Sequence, residues 1–196
     1  MAIHAELMRA GGHDNVVRLV EIFEDANLIY VVLEFCQNGD FFSFVERQTF
    51  TEDLAKQCFR QLLQGVGYMH SQGIVHRDLS LENILMDEKQ VLKICDFGVA
   101  CRAKPGVQLR IQANGHRPGK TRYMSPEVFG ADEYDPYAND VWCMGIILVV
   151  MMLGTFAFRV PTMVRKAPMR FCNLSRCRFT RYEFDRMLNG LSSLLL

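Results

Sequence analysis

The sequence predicts an α+β chain in which a small β-rich segment leads into a mainly helical body, and three observations carry that expectation. Two runs rich in Val, Ile and aromatic residues, 16–23 and 28–35, flank the polar turn Glu24-Asp25-Ala26-Asn27, the signature of paired strands. From Thr51 the residues Leu54, Cys58, Phe59, Leu62, Leu63, Val66 and Met69 recur at three- and four-residue steps, the period of an amphipathic helix. Val141 to Leu153 is apolar almost throughout, the pattern of a helix buried on every side.

Taken in order, Ala5 to Arg9 reads as the end of a helix halted by Gly11-Gly12. The two apolar runs form an antiparallel pair, and Asn38-Gly39-Asp40 closes the second. Glu52 and Asp53 suit the positive start of the long helix, which ends near Gly73. Ile84-Leu85-Met86 and Val91 to Cys95, joined by Asp87-Glu88-Lys89-Gln90, read as a hairpin. Residues 99–122 show no periodicity and read as a long functional loop. The 141–153 stretch is too short to span a bilayer and contains Gly145, so it reads as a core helix. Glu6 and Arg9 leave no room for the long apolar centre of a signal peptide.

At 196 residues, 49% hydrophobic and 22% charged, the composition is that of an ordinary globular chain. Twenty-two basic and 22 acidic residues cancel, so no global field points to nucleic acid or an anionic membrane, and neither is expected as a partner. From Arg159 onward eight basic residues face two acids, Glu183 and Asp185, which reads as a solvated basic face. The seven cysteines include no C-x-x-C pair and are expected to be reduced thiols of a cytoplasmic protein.

The chemistry-bearing signal is an ordered set of motifs. His76-Arg77-Asp78-Leu79-Ser80-Leu81-Glu82-Asn83 matches H-R-D-L-x-x-x-N in full, and Asp96-Phe97-Gly98 and Ser125-Pro126-Glu127 follow. Singly, Asp78 reads as a turn aspartate and Asn83 as a helix cap; their order and spacing point beyond that. With Tyr123-Met124-Ser125-Pro126-Glu127, and with Ala138 to Gly145 akin to S-D-V-W-S-x-G, residues 1 to about 158 resemble the eukaryotic-type protein kinase family. Ser80-Leu81-Glu82-Asn83 and Tyr123 resemble its serine/threonine-specific branch.

The resemblance implies a kinase-like α+β fold, with 1–36 as a remnant of the N-lobe with the hinge and 37–196 as an incomplete C-lobe. It also implies a transferase that uses ATP and magnesium to phosphorylate Ser or Thr hydroxyls of a protein substrate in signalling. Asp78 would accept the proton of the substrate hydroxyl, and Asn83 and Asp96 would hold magnesium against the nucleotide phosphates. Hard amide and carboxylate oxygens suit that ion. Leu33-Glu34-Phe35-Cys36 resembles the hinge, where the main chain of Glu34 and Cys36 would meet the adenine edge, Leu33 would stand behind the base and Asp40 would reach the ribose. Asp140 would brace the catalytic-loop backbone.

Several positions depart from the family pattern. No glycine-rich loop is seen, and the first lysine, Lys56, lies beyond the hinge, so no residue fills the role of the strand lysine. Glu6 reads either as a candidate for the helix glutamate, at shortened spacing, or as a solvated helix charge. Ser80 replaces a phosphate-contacting lysine, Lys120 replaces a threonine, and Ser125 replaces an alanine. No Ser, Thr or Tyr lies between Asp96 and Lys120, so a phosphate gripped by Arg77 would be on Thr121, Tyr123 or Ser125, with His116 as the unusual alternative. Glu127 is expected to be buried without its arginine partner. Arg181 to Leu196 reads as a further helix.

These departures leave a second reading open: a catalytically inactive kinase-like chain acting as a binding module. A third, a module built on Arg165, Lys166, Arg170, Arg176 and Arg178, lacks the aromatic interleaving of nucleic-acid binders. The motifs do not specify protein substrate, pathway or oligomeric state.

Overall fold

The computed structural model describes residues 2–48, 50–111, 117–130 and 132–156. The basic segment from Arg159, the expected helix from Arg181, and His116 lie outside them. Helix α1 (Ala2–Arg9) buries Leu7 and His4. Strands β1 (Leu19–Glu24) and β2 (Ile29–Leu33) pair antiparallel, Leu19 opposite Leu33 and Glu24 opposite Ile29, with an irregularity between Leu19 and Glu21. The turn between them is held by Asp25, whose Oδ1 accepts from the main-chain N–H of Asn27 (2.8 Å) and Leu28 (2.9 Å). This ribbon is unusual in its exposure: Val20, Ile22, Phe23, Leu28, Ile29, Tyr30, Val31 and Val32 all present apolar surface to solvent.

Helix α2 (Phe41–Arg47) follows, capped by Asp40, whose Oδ1 accepts from Ser43 N at 2.8 Å and Oδ2 from Ser43 Oγ at 2.9 Å. Helix α3 (Glu52–Ser71) is the predicted amphipathic helix, with Thr51 as its cap and Ala55, Cys58, Phe59, Leu62, Val66 and Met69 buried. Strand β3 (Ile74–Val75) leads into the His76 loop. A single 3-10 turn (Leu81–Asn83) then opens the hairpin of β4 (Ile84–Met86) and β5 (Leu92–Ile94).

The loop expected over 99–122 contains short strands among its described residues. Strand β6 (Cys101–Arg102) pairs with β3, and β7 (Leu109–Arg110) pairs with β8 (Glu133–Tyr134), around helix α4 (Pro126–Gly130). Two-residue strands carry no periodicity to read, because their pairing is long-range. Helix α5 (Pro136–Leu153) is capped by Asp135 and ended by Gly154 in the left-handed conformation (φ 66°). It begins before the apolar run and so is long and apolar enough, by composition alone, to cross a membrane. Its burial from Cys143 through Met152 makes it the central helix of the core, packed on α3.

Two further expectations change. Glu127 is exposed, so it carries no burial penalty, and the need for a paired arginine disappears. Ser125, fully buried where the family carries alanine, has an Oγ with no hydrogen-bond partner among the described residues.

Candidate active site

The catalytic loop is built on one buried carboxylate. Asp140, projecting from the first turns of α5, accepts at Oδ2 from His76 N (2.8 Å) and at Oδ1 from Arg77 N (2.8 Å). Its Oδ2 also lies 3.0 Å from His70 Nε2. Those bonds hold Arg77 in the left-handed region (φ 67°), which reverses the chain and leaves Asp78 facing out of the loop. Leu79 and Leu81 anchor the loop from below, both fully buried.

His76 is also fully buried. Its Nε2 lies 3.0 Å from the Cys95 carbonyl and its Nδ1 accepts from Asp78 N at 3.3 Å, which assigns the proton to Nε2. Burial pushes the imidazole below the ordinary histidine value, against the opposing pull of Asp140, the Cys95 carbonyl, Asp78 and Asp96. The ring packs edge-on to Phe97 (5.2 Å between centroids), and His4 of α1 packs on the same phenyl at 4.6 Å. Burial lowers His4 as well, its contact to the Val17 carbonyl opposing.

Folding thus favours the neutral form of both rings, while their unfolded counterparts protonate near pH 6.5. The folded values lie below the unfolded one, so the unfolded state binds more protons as pH falls below about 6.5. Stability present at pH 7 is thus lost on acidification below that value. A denaturant midpoint that falls between pH 7 and pH 5.5 is the expected result; an unchanged midpoint would show that the rings protonate as readily in the fold as outside it.

At the mouth of the loop four polar side chains converge. Asn83 Nδ2 donates to Asp78 O and Oδ2, both at 2.9 Å. Lys120 N donates to Asp78 Oδ1 at 2.9 Å, and Lys120 Nζ lies 3.2 Å from Asp78 Oδ2, 3.0 Å from Ser80 Oγ and 3.1 Å from Asn83 Oδ1. Gly119 makes this docking possible: at φ 96° it lies so close to the loop that a Cβ would come within 2.5 Å of Arg77 O. Tyr123 locks the same segment from the other side. Its hydroxyl donates to Glu82 Oε2 (3.1 Å) and accepts from Leu81 N (3.4 Å), and burial, with Glu82 adding, holds the phenol well above its usual value.

Asp96, in the left-handed region (φ 62°), accepts from Gly98 N at 3.2 Å and lies at one end of a cleft of about 370 Å³. Leu19, Ile22, Val31 and Leu33 form one wall of that cleft, from the ribbon, and Leu85 lies on the β4–β5 hairpin side. An apolar slot of this size with a carboxylate at its end fits a flat heterocycle carrying a charged tail.

The other predicted residues are placed as follows. The Cys36 thiol is buried, while no described residue accepts from its main-chain N–H. Glu34 turns its side chain away from the cleft: Oε1 accepts from Arg18 N (2.7 Å) and pairs with Lys93 (3.2 Å), beside a second cavity at His13, Asp14 and Arg18. The Asp40 carboxylate accepts the α2 cap bonds from Ser43. Glu6 pairs with Arg102, outside the cleft. Arg77 Nε donates to Val99 O (2.6 Å), tying the loop to the chain after Asp96-Phe97-Gly98. Of the three acceptors considered for a phosphate near Arg77, Tyr123 and Ser125 are buried and only Thr121 is exposed.

The residue that sequence reasoning missed is Lys120. Its signal was a pair of departures read as two separate losses: lysine missing at position 80 and lysine present at 120. Only the fold shows that the two positions adjoin.

A family model of the protein kinase domain matches residues 2–189. The chain belongs to the eukaryotic-type serine/threonine protein kinase family. Its helices and small antiparallel sheets are those of a kinase-like α+β fold. Among its relatives, CBL-interacting serine/threonine-protein kinase 14 of Arabidopsis thaliana is 42% identical over 147 residues, covering 74% of this chain and 33% of that protein. Mouse serine/threonine-protein kinase SIK1 is 36% identical over 159 residues, 81% of this chain and 20% of the relative. Maternal embryonic leucine zipper kinase of Xenopus tropicalis is 36% identical over 154 residues, 78% and 23% of the respective chains. The kinase chain thus spans a third or less of the length of these relatives.

Proposed function

We propose that this kinase chain binds ATP with magnesium and transfers the γ-phosphoryl group to Ser or Thr hydroxyls of a protein substrate. The observation that carries the reading is the Asp78 carboxylate, held by Asn83 and Lys120 on a loop braced by Asp140. Asp78 Oδ1 accepts from Lys120 N and keeps a lone pair for the proton of an incoming hydroxyl. Asn83 Oδ1 and the Asp96 carboxylate are the oxygens that would hold magnesium. Magnesium bound this way keeps several waters and phosphate oxygens in its shell, so two protein oxygens suffice. When bound, that ion supplies neutralisation of phosphate charge.

The cleft beside Asp96 would take the adenine, with Leu33 behind it and the main chain of Glu34 and Cys36 along its edge; Asp40 would reach the ribose from the start of α2. In this reading residues 1–36 are the N-lobe part with the hinge and 37–196 the C-lobe part. The cysteines, which include no C-x-x-C pair and are read as reduced thiols, favour the cytoplasm in this reading.

The experiment is a melting series with Mg-ATP. The unsubstituted chain is expected to gain about 3 kcal/mol at a hundredfold excess over its dissociation constant, and Asp96→Ala to gain little. Equal gains in the two would argue against nucleotide binding at this site. A phosphotransfer assay with Asp78→Ala as control then tests turnover.

A second reading, nucleotide binding without transfer, is favoured by one observation: Ser80, where the family pattern places a phosphate-contacting lysine, is fully buried and carries no charge. Stabilisation by Mg-ATP combined with phosphotransfer no faster than in Asp78→Ala would select it.

A further inference from the structure

We propose that Lys120 supplies the phosphate-contacting cation that Ser80 does not, so that the charge of the catalytic loop is completed by a side chain 40 positions further along the chain. The inference rests on reading this cleft as the phosphotransfer site.

The geometry has three independent supports. The ammonium stands on three acceptors of the loop itself, Asp78 Oδ2, Ser80 Oγ and Asn83 Oδ1, at 3.0–3.2 Å. Its backbone is fixed to the same loop by the Lys120 N–H on Asp78 Oδ1 and by the close seat of Gly119 against Arg77 O. Finally, the side chain is 37% exposed, whereas Ser80 beneath it is fully buried. The ammonium is therefore held from below and open from above.

An ammonium has three protons. In the free chain all three are taken by the loop. With a nucleotide bound, the bond to Asn83 Oδ1 is the one that would exchange: Nζ would turn that proton to a terminal phosphate oxygen, leaving Asn83 Oδ1 free as the oxygen that would hold magnesium. Asp78 and Ser80 keep the other two, so the cation does not wander while it changes partner. A compact point charge on a flexible stem is suited to this, and it offsets the Asp78 and Asp96 carboxylates that would otherwise repel a triphosphate.

The serine follows from the same arrangement. A lysine at 80 would place a second ammonium within hydrogen-bond reach of Lys120, in a site with too few carboxylates for both. Ser80 offers instead an oxygen that accepts from Lys120. The two substitutions are one exchange, and each position constrains the other.

The test compares binding of the magnesium complexes of ADP and of a non-hydrolysable ATP analogue by isothermal titration calorimetry. The variants are Lys120→Met, Ser80→Lys and Ser80→Lys/Lys120→Thr, with unliganded melting checked for each. The unsubstituted chain is expected to prefer the triphosphate analogue, and Lys120→Met to lose about tenfold of that preference, the worth of a charge-assisted hydrogen bond, while still binding ADP. Ser80→Lys alone is expected to weaken analogue binding through the paired ammoniums, and the double exchange to restore it. An unchanged preference in Lys120→Met overturns the proposal. Tighter binding there also overturns it, by showing that Lys120 blocks the metal oxygens. Failure of the unsubstituted chain to bind either nucleotide would remove the functional reading itself, a result distinct from the loss of preference alone.

Discussion

Replacing Asp140 by alanine is expected to lower the unfolding free energy by about 3–5 kcal/mol, among the largest effects of any single substitution in this kinase. The carboxylate is fully buried and satisfies the main-chain N–H groups of His76 and Arg77 while also meeting His70. Removing it leaves the buried His76 N–H and the part-buried Arg77 N–H without acceptors, the former costing roughly 1–3 kcal/mol, and withdraws support from Arg77 at φ 67°. For a chain of this size the loss corresponds to a fall of roughly 10 °C in melting temperature. Asp140→Asn is expected to fall between, since its amide keeps one acceptor but turns a donor toward a donor. Calorimetry on the two variants checks both the size and the order; equal and small losses would show that the loop holds its shape without the carboxylate.

Gly119→Ala is the second large effect, and it acts on chemistry more than on stability. The added methyl would meet Arg77 O at 2.5 Å and Asp78 Oδ1 at 3.3 Å, and φ 96° is itself unfavourable for alanine. Main-chain oxygen cannot rotate aside, so the 119–120 segment must lift away from the loop. The bond from Lys120 N to Asp78 Oδ1 is then broken, and the ammonium moves with it. A displacement of about 1 Å at a reacting centre costs on the order of a hundredfold in rate. The expected result is a loss of that order in phosphotransfer with a melting temperature only modestly lowered, read from initial rates and a melting curve on the same preparation. Unaltered rates would place the segment outside the chemistry.

The parts of this fold that were legible in the sequence are those whose cause is local. Helix α3 shows its apolar period and its Thr51 cap within one window, and the β4–β5 hairpin shows its turn in four consecutive residues. Helix α2 escaped because Phe41, Phe42, Phe44 and Val45 are too few and too crowded to reveal a period, and because Asp40, its cap, reads as the close of the preceding strand. The loop motif was legible because its residues are consecutive. The link from Asp140 to the loop crosses 63 positions or more, and could be expected only by resemblance. Lys120 belongs to a harder class. Its neighbours Asp78, Ser80 and Asn83 lie 37–42 residues away, and no local pattern reports an adjacency made by the folding of a long loop over a short one. Glu127 and Ser125 show the same limit in reverse, since burial assigned by analogy to one residue failed and a new buried hydroxyl arose two residues before it.

The ribbon of β1 and β2 sets the energetics of the cleft it walls. A two-stranded sheet that pairs with no third strand among the described residues and has most of its apolar side chains in water is marginal by itself, whereas the catalytic loop opposite is pinned by buried bonds to α5. One side of the cleft thus opens at little cost and the other only with the whole fold, so amide protons of 19–24 and 29–33 exchange with solvent long before those of 74–86. A ligand that bridges the two sides would be felt first as slowed exchange along the ribbon, where its binding energy is spent on ordering one wall against another that needs none.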